Sequence, residues 1–271
     1  MSTFKSLNPT NLSDVVVETK LATPDEIADA ARRARAAQKA WAKMPAPARG
    51  RVIANAGRLF ENNKEALSKL VTREMGKVYR EALGDVQEVI DTCDFFLGEG
   101  RRLYGQTVPS EMPNKNLFTF RMPVGTALII TAGNFPAAVP SWYIIPALLT
   151  GNSVVWKPSE YTPAVAEAMT AIFHAAGVPK DVLITVVAEG KETFEGMVKG
   201  LDEGTINKVG FTGSTEVGKY FLKYAAESNA KAVSLELGGK TPHVVLSDCP
   251  DLDSAASAIA WGVFYNAGQT C

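Results

Sequence analysis

Residues 124–246 predict an α/β fold, a mostly parallel sheet with helices on both faces. Two observations carry that expectation: apolar strand candidates alternate with stretches of helical spacing, and the connections between them are short. In such sheets ligands sit beyond the carboxyl ends of the strands.

The strand candidates are Ala127 to Thr131, Ser153 to Lys157, Val182 to Val187, Lys208 to Phe211, Val233 to Leu235 and His243 to Leu246. Helix candidates between them are Val139 to Leu149, Pro163 to Ala176, Glu192 to Lys199 and Glu216 to Ala226. Ahead of this block the chain reads as helical. Thr23 can cap a helix, Pro24 suits its first position and Glu26 closes a capping box. Ile27, Ala31, Ala34 and Trp41 then recur at helical spacing. Two more helices are expected over Arg49 to Glu74 and Val78 to Gly100, an amphipathic layer over the sheet. From Gln106 to Pro123, prolines and Asn114 break helix while Leu117-Phe118-Thr119-Phe120 favours strand. An extended edge hairpin is expected there.

Composition narrows the function classes. The chain has 271 residues, 46% of them hydrophobic, enough to bury a sizeable core. Its formal charge is −1, so neither a nucleic-acid partner nor a membrane surface is expected. No apolar run reaches about 18 residues, the length of a membrane-crossing helix. The opening MSTFKSLNPT has no apolar core of a secretory signal. Three cysteines, Cys93, Cys249 and Cys271, without paired spacing argue for a reducing, cytoplasmic compartment and against a metal site. Two histidines, His174 and His243, leave little for a Ser-His-Asp hydrolase.

Five short motifs stand out. Gly210 to Gly218 follows a strand and opens a helix, which suits a phosphate and equally a plain tight turn. Lys157-Pro158-Ser159-Glu160 ends a strand; lysine and carboxylate there suit ribose hydroxyls, or are a solvated loop. Asn134-Phe135-Pro136 places an amide before a helix, as an oxyanion donor or a turn residue. Glu236-Leu237-Gly238-Gly239-Lys240 offers a general base or a salt-bridged loop carboxylate. Cys271 closes Asn266-Ala267-Gly268-Gln269-Thr270-Cys271 and means little alone. Cys93, within a helix, and Cys249, in a polar loop, carry no chemistry.

In this order the five motifs resemble the aldehyde dehydrogenase superfamily over nearly the whole chain, most weakly in the first twenty residues. The resemblance implies an aldehyde-dehydrogenase-like, Rossmann-type parallel sheet and the start of a second α/β, catalytic domain. It divides the chain into an NAD(P)-binding domain over 1–235, with an oligomerisation hairpin at about 104–123, and the truncated beginning of a catalytic domain over 236–271. It implies that Cys271 is the nucleophile, Asn134 an oxyanion donor and Glu236 the general base. It assigns the cofactor to Lys157, Glu160, Gly213, Ser214, Thr131 and Leu237. The expected cofactor is NAD, with NADP the alternative, because Glu160 would repel a 2′-phosphate. The substrate is expected to be a small aldehyde, and the complete protein a homodimer or homotetramer.

There are departures from the family pattern. Many members have Trp where Gly133 stands, so more room is expected beside Asn134. Ile130 to Trp142 looks more like the semialdehyde-oxidising branch, and His243 stands where Asn is common. Members run well past the nucleophile, so a fragment is expected, inert on its own. Two other readings stand beside oxidation to the acid. One is a CoA-acylating relative, against which Glu236 argues; the other is a chain that serves only as a cofactor-binding or structural unit.

Overall fold

The computed structural model describes residues 2–228 and 232–270. It opens with an antiparallel hairpin that the sequence reading did not anticipate, β1 (Thr3–Asn8) with β2 (Asn11–Lys20). The signal was present. Val15, Val16 and Val17 are β-branched, and Asn8 Oδ1 closes the turn by accepting the Thr10 N–H at 3.0 Å.

Four helices follow. The first, α1 (Pro24–Lys43), starts on the expected capping box: Glu26 N–H donates to Thr23 Oγ1, and Thr23 N–H to Glu26 Oε2. The single helix expected over Arg49 to Glu74 is two, α2 (Ala46–Asn62) and α3 (Lys64–Met75). Asn63 separates them: its side chain donates to the Leu59 carbonyl and ends α2, and α3 then turns to pack on α4 (Tyr79–Glu99). The edge hairpin is short, with β3 (Thr107–Val108) antiparallel to β4 (Leu117–Phe118) and both strands exposed.

The remaining elements alternate as predicted: β5 (Thr126–Ile130), α5 (Ala138–Leu149), β6 (Ser153–Lys157), α6 (Pro163–Ala175), β7 (Leu183–Thr185), α7 (Gly190–Asp202), β8 (Lys208–Gly213), α8 (Thr215–Glu227) and β9 (Ala232–Leu237). The sheet order is β7-β6-β5-β8-β9, parallel throughout. The chain winds outward from β5 in one direction, then returns to β5's other side to place β8. The reversal between β5 and β8 leaves a crevice at their carboxyl ends.

Pleating sends alternate side chains to opposite layers. Ala127, Ile129, Val154 and Trp156 join a core with α2 to α6, whereas Leu128, Ile130, Val155 and Val209 join one with α1, α7 and α8. The predicted strand His243 to Leu246 does not form: the segment is irregular, and Val244 and Leu246 are exposed. A strand exists through its ladder, and among the described residues this segment has none. The last helix, α9 (Leu252–Phe264), buries none of its residues; Trp261 and Phe264 are exposed. Among the described residues no helix is long and apolar enough to cross a membrane.

Candidate active site

A cavity of about 790 Å³ opens at the carboxyl ends of β5, β8 and β9. Each strand delivers part of its wall: the 132–134 loop after β5, Gly213 and Ser214 from β8, and Glu236 and Leu237 from β9. Gln269 lines it from the C-terminal segment, and Glu74 and the β1–β2 hairpin complete the far side.

Five of the expected site residues are therefore gathered in one place: Asn134, Gly213, Ser214, Glu236 and Leu237. Gly213 and Ser214 stand where β8 becomes α8. Ser214 caps α8, its hydroxyl accepting the Val217 N–H at 3.3 Å. The first-turn N–H groups of a helix lack partners within it, and its macrodipole favours an anion, so this end of the cavity suits a phosphate. Gly218 lies one turn on, where a Cβ would come 2.7 Å from Leu237 Cδ2. The glycine is thus what lets β9's last side chain pack against α8.

Asn134 is held at both ends. Its Nδ2 donates to the Gln269 carbonyl at 2.7 Å, two residues before Cys271, and its own carbonyl accepts from Asn266 Nδ2 at 2.9 Å. Cys271 itself lies outside the described residues. Glu236 is exposed on the cavity wall. Nearby, the Tyr143 hydroxyl is 3.0 Å from Thr212 Oγ1. Burial holds the Tyr143 phenol above its ordinary value; the Thr212 hydrogen bond opposes this, and the Glu236 charge adds to it.

Three expected cofactor residues lie outside the cavity wall. Thr131 is buried, its hydroxyl accepting from Trp156 Nε1 at 3.0 Å. Lys157 Nζ and Glu160 Oε2 pair with each other at 3.0 Å just beyond β6. Gly133 lines the cavity beside Asn134, and the direction its Cβ would take is already filled. A Cβ there would meet Ser159 Oγ at 3.0 Å and Cβ at 3.2 Å, because the 132–134 loop and the Lys157 to Glu160 loop pack together on that side.

The sequence reading missed four residues that build this region. Glu74 is buried at the cavity's edge and accepts the Ala164 and Val165 N–H groups at the start of α6, at 2.9 and 2.8 Å. Burial raises its carboxyl pKa, and those two bonds oppose the rise. Lys77 and Asp85 form a buried ion pair at 2.9 Å, with Lys77 Nζ 4.1 Å from the Phe135 ring centroid. Asp85 Oδ1 accepts the Ala138 N–H at 2.7 Å, fixing the start of α5. Glu81 Oε2 accepts the Asn266 N–H at 3.0 Å. Lys77, Glu81 and Asp85 recur every fourth residue; Glu81 and Asp85 lie one turn apart on α4 and Lys77 just precedes it, a spacing that was the available signal.

The sequence model of the aldehyde dehydrogenase family matches residues 1–271. The chain belongs to the aldehyde dehydrogenase family. An alpha-ketoglutarate semialdehyde dehydrogenase of Haloferax volcanii is 37% identical over 269 residues, which are 99% of this chain and 55% of that protein. The NAD+ complex of an aldehyde dehydrogenase from Bacillus cereus has a TM-score of 0.91 at 34% identity, covering 100% of this chain and 54% of that one. An NADP dependent enzyme of E. coli gives 0.92 at 34% identity, with 100% and 55% covered. The chain spans about half the length of the curated relatives it matches. Its α/β architecture, with the parallel five-stranded sheet, is the one found in those aldehyde dehydrogenase structures.

Proposed function

We propose that this chain supplies the cofactor-binding half and the nucleophile of an enzyme that oxidises an aldehyde, or a semialdehyde, to a carboxylic acid. The observation that carries the reading is the Asn134 amide, 2.7 Å from the carbonyl of Gln269 and in the same cavity as Glu236. It ties a hydrogen-bond donor to the segment that ends on Cys271.

In this reading the Cys271 thiolate attacks the aldehyde carbon, and negative charge develops on the aldehyde oxygen. An amide nitrogen carries two hydrogens. One on Asn134 is engaged by Gln269; the other is available to that oxygen. Such a donor typically lowers the barrier by about 3 to 4 kcal/mol. When bound, nicotinamide would accept the hydride lost from the former aldehyde carbon; as that C–H bond breaks and the carbonyl re-forms, the Cys271 adduct becomes a thioester. Glu236 takes a proton from the water that attacks the thioester and releases the acid.

The residues present fit NAD(P). The open start of α8 with Gly213 and Ser214 suits the pyrophosphate, and the Lys157–Glu160 pair beyond β6 suits the adenosine ribose once it opens toward the hydroxyls. Thr131, buried on Trp156, offers backbone rather than side chain. The lean to NAD over NADP rests on the Glu160 carboxylate. The short hairpin near 104–123 is the proposed subunit contact, with residues 236–271 the start of the catalytic domain. A cytoplasmic location agrees with a sequence of three cysteines that lack paired spacing.

The test is Cys271→Ala in the complete enzyme. NADH production from aldehyde should vanish, while NADH still binds, read by its fluorescence. Turnover above a few per cent of the parent would remove Cys271 from the nucleophile's role. Acyl-CoA formed in place of the acid when CoA is added would move the chain to the acylating branch.

A further inference from the structure

We propose that Glu81 and Asn266 are positioning residues that set the Asn134 amide against the nucleophile-bearing segment. The inference rests on the oxyanion role proposed above for Asn134. The geometry is a continuous chain of hydrogen bonds from helix α4 to that amide. Glu81 Oε2 accepts the Asn266 N–H at 3.0 Å; Asn266 Nδ2 donates to the Asn134 carbonyl at 2.9 Å; Asn134 Nδ2 donates to the Gln269 carbonyl at 2.7 Å. Asn134 is thereby clamped through backbone and side chain to one turn of chain, and that turn is anchored to α4.

The turn needs an anchor. Asn266, Ala267 and Gly268 all have left-handed φ, at 57°, 54° and 73°. Glycine tolerates this and asparagine does so better than most, but alanine pays a steric penalty there. Three such residues in a row persist only when their surroundings over-determine them. Here Asn266 is wholly buried, and Glu81 holds its N–H. Without that acceptor the turn gains other conformations, and Asn134 loses its fixed distance from Gln269. Misplacing a catalytic group by about 1 Å costs on the order of 100-fold in rate.

The test compares two reactions of the Cys271 thiolate in the complete enzyme, neither needing cofactor. With p-nitrophenyl acetate the sulfur attacks the carbonyl carbon, the carbon–oxygen bond breaks and p-nitrophenolate departs with the electron pair. The carbonyl oxygen carries negative charge on the way. With iodoacetamide the sulfur displaces iodide at a saturated carbon, and no oxyanion forms. Alkylation is followed on the Cys271 peptide by mass spectrometry. Glu81→Ala and Asn266→Gly, which keeps the left-handed φ accessible, should slow ester acylation by about 10- to 100-fold and leave alkylation unchanged. Glu81→Gln retains an acceptor oxygen and should restore acylation. In an Asn134→Ala background, Glu81→Ala should cost nothing further. Equal losses in both reactions, or losses that add to that of Asn134→Ala, overturn the proposal and make Glu81 merely structural. If Asn134→Ala slows acylation and Glu81→Ala does not, the positioning role alone falls. If Asn134→Ala leaves acylation intact, the oxyanion reading falls first and the positioning role with it.

Discussion

Lys77 and Asp85 face each other at 2.9 Å with neither side chain exposed to solvent. Burial drives the Lys77 ammonium down and the Asp85 carboxyl up, and each is opposed by the other's charge. The pair holds the 134–138 loop from beneath, Lys77 against the Phe135 ring and Asp85 on the Ala138 N–H. Removing one partner strands the other without water. Lys77→Met should therefore destabilise the protein by about 3 to 5 kcal/mol. The double variant Lys77→Met/Asp85→Leu should recover part of that loss, short of the bond to Ala138. Urea denaturation of the three proteins measures both; a single variant as stable as the parent would mean that the pair contributes nothing.

Glu236→Gln should uncouple the two halves of the proposed reaction. Loss of a general base typically costs about 10²- to 10⁴-fold in the step that it serves. A rapid burst of NADH should survive, followed by slow turnover, because only the thioester's hydrolysis needs the base. Rapid-quench kinetics with equal losses in burst and turnover would take Glu236 out of that step.

Gly218→Ala pits two effects against each other. Alanine favours helix over glycine by about 1 kcal/mol. Its Cβ would also lie 2.7 Å from Leu237 Cδ2, a contact that something must relieve. The far end of a leucine swings easily, and Leu237 lines the cavity. Little change in melting temperature is expected. Cofactor binding should weaken, because the side chain that swings away is one that lines the cavity. Fluorescence titration with NADH reads this; unchanged affinity would place Leu237 away from the cofactor.

Acid should loosen the N-terminal segments first. Arg73 and Asn8 hydrogen-bond Asp14 and hold its carboxyl at about 2, and Lys20 with the Thr23 N–H does the same for Glu26. Both values lie below those of the unfolded chain, so folding is favoured by their ionised forms. That contribution is complete above the ordinary carboxylate range and is lost as pH falls from there toward about 2. Both carboxylates lie at the surface, so salt should weaken the effect. Asp14→Asn and Glu26→Gln should each lower stability near neutral pH and flatten its decline into acid. Thermal melts from pH 7 to pH 3 test the sign. Variants that parallel the parent at every pH would contradict it.

What the sequence by itself determined was local or periodic. The strands β5, β6 and β8 were legible from apolar runs bounded by turn residues, and α1 from its capping box, because those signals act over a few neighbours. Five motifs in order identified the family, and with it the candidate roles of Asn134, Glu236 and Cys271. Other features depend on partners distant in the chain. Asn63 divides a helix that periodicity alone continues. His243 to Leu246 has strand composition but, among the described residues, no strand beside it. At Gly133 the direction of a Cβ is taken up by Ser159, from a loop distant in the chain. Above all, the set of Lys77, just ahead of α4, and Glu81 and Asp85 upon it has the composition of an ordinary solvated surface. Only packing against residues 134–138 and Asn266 turned it inward, where the scarcity of water makes each charge and hydrogen bond matter.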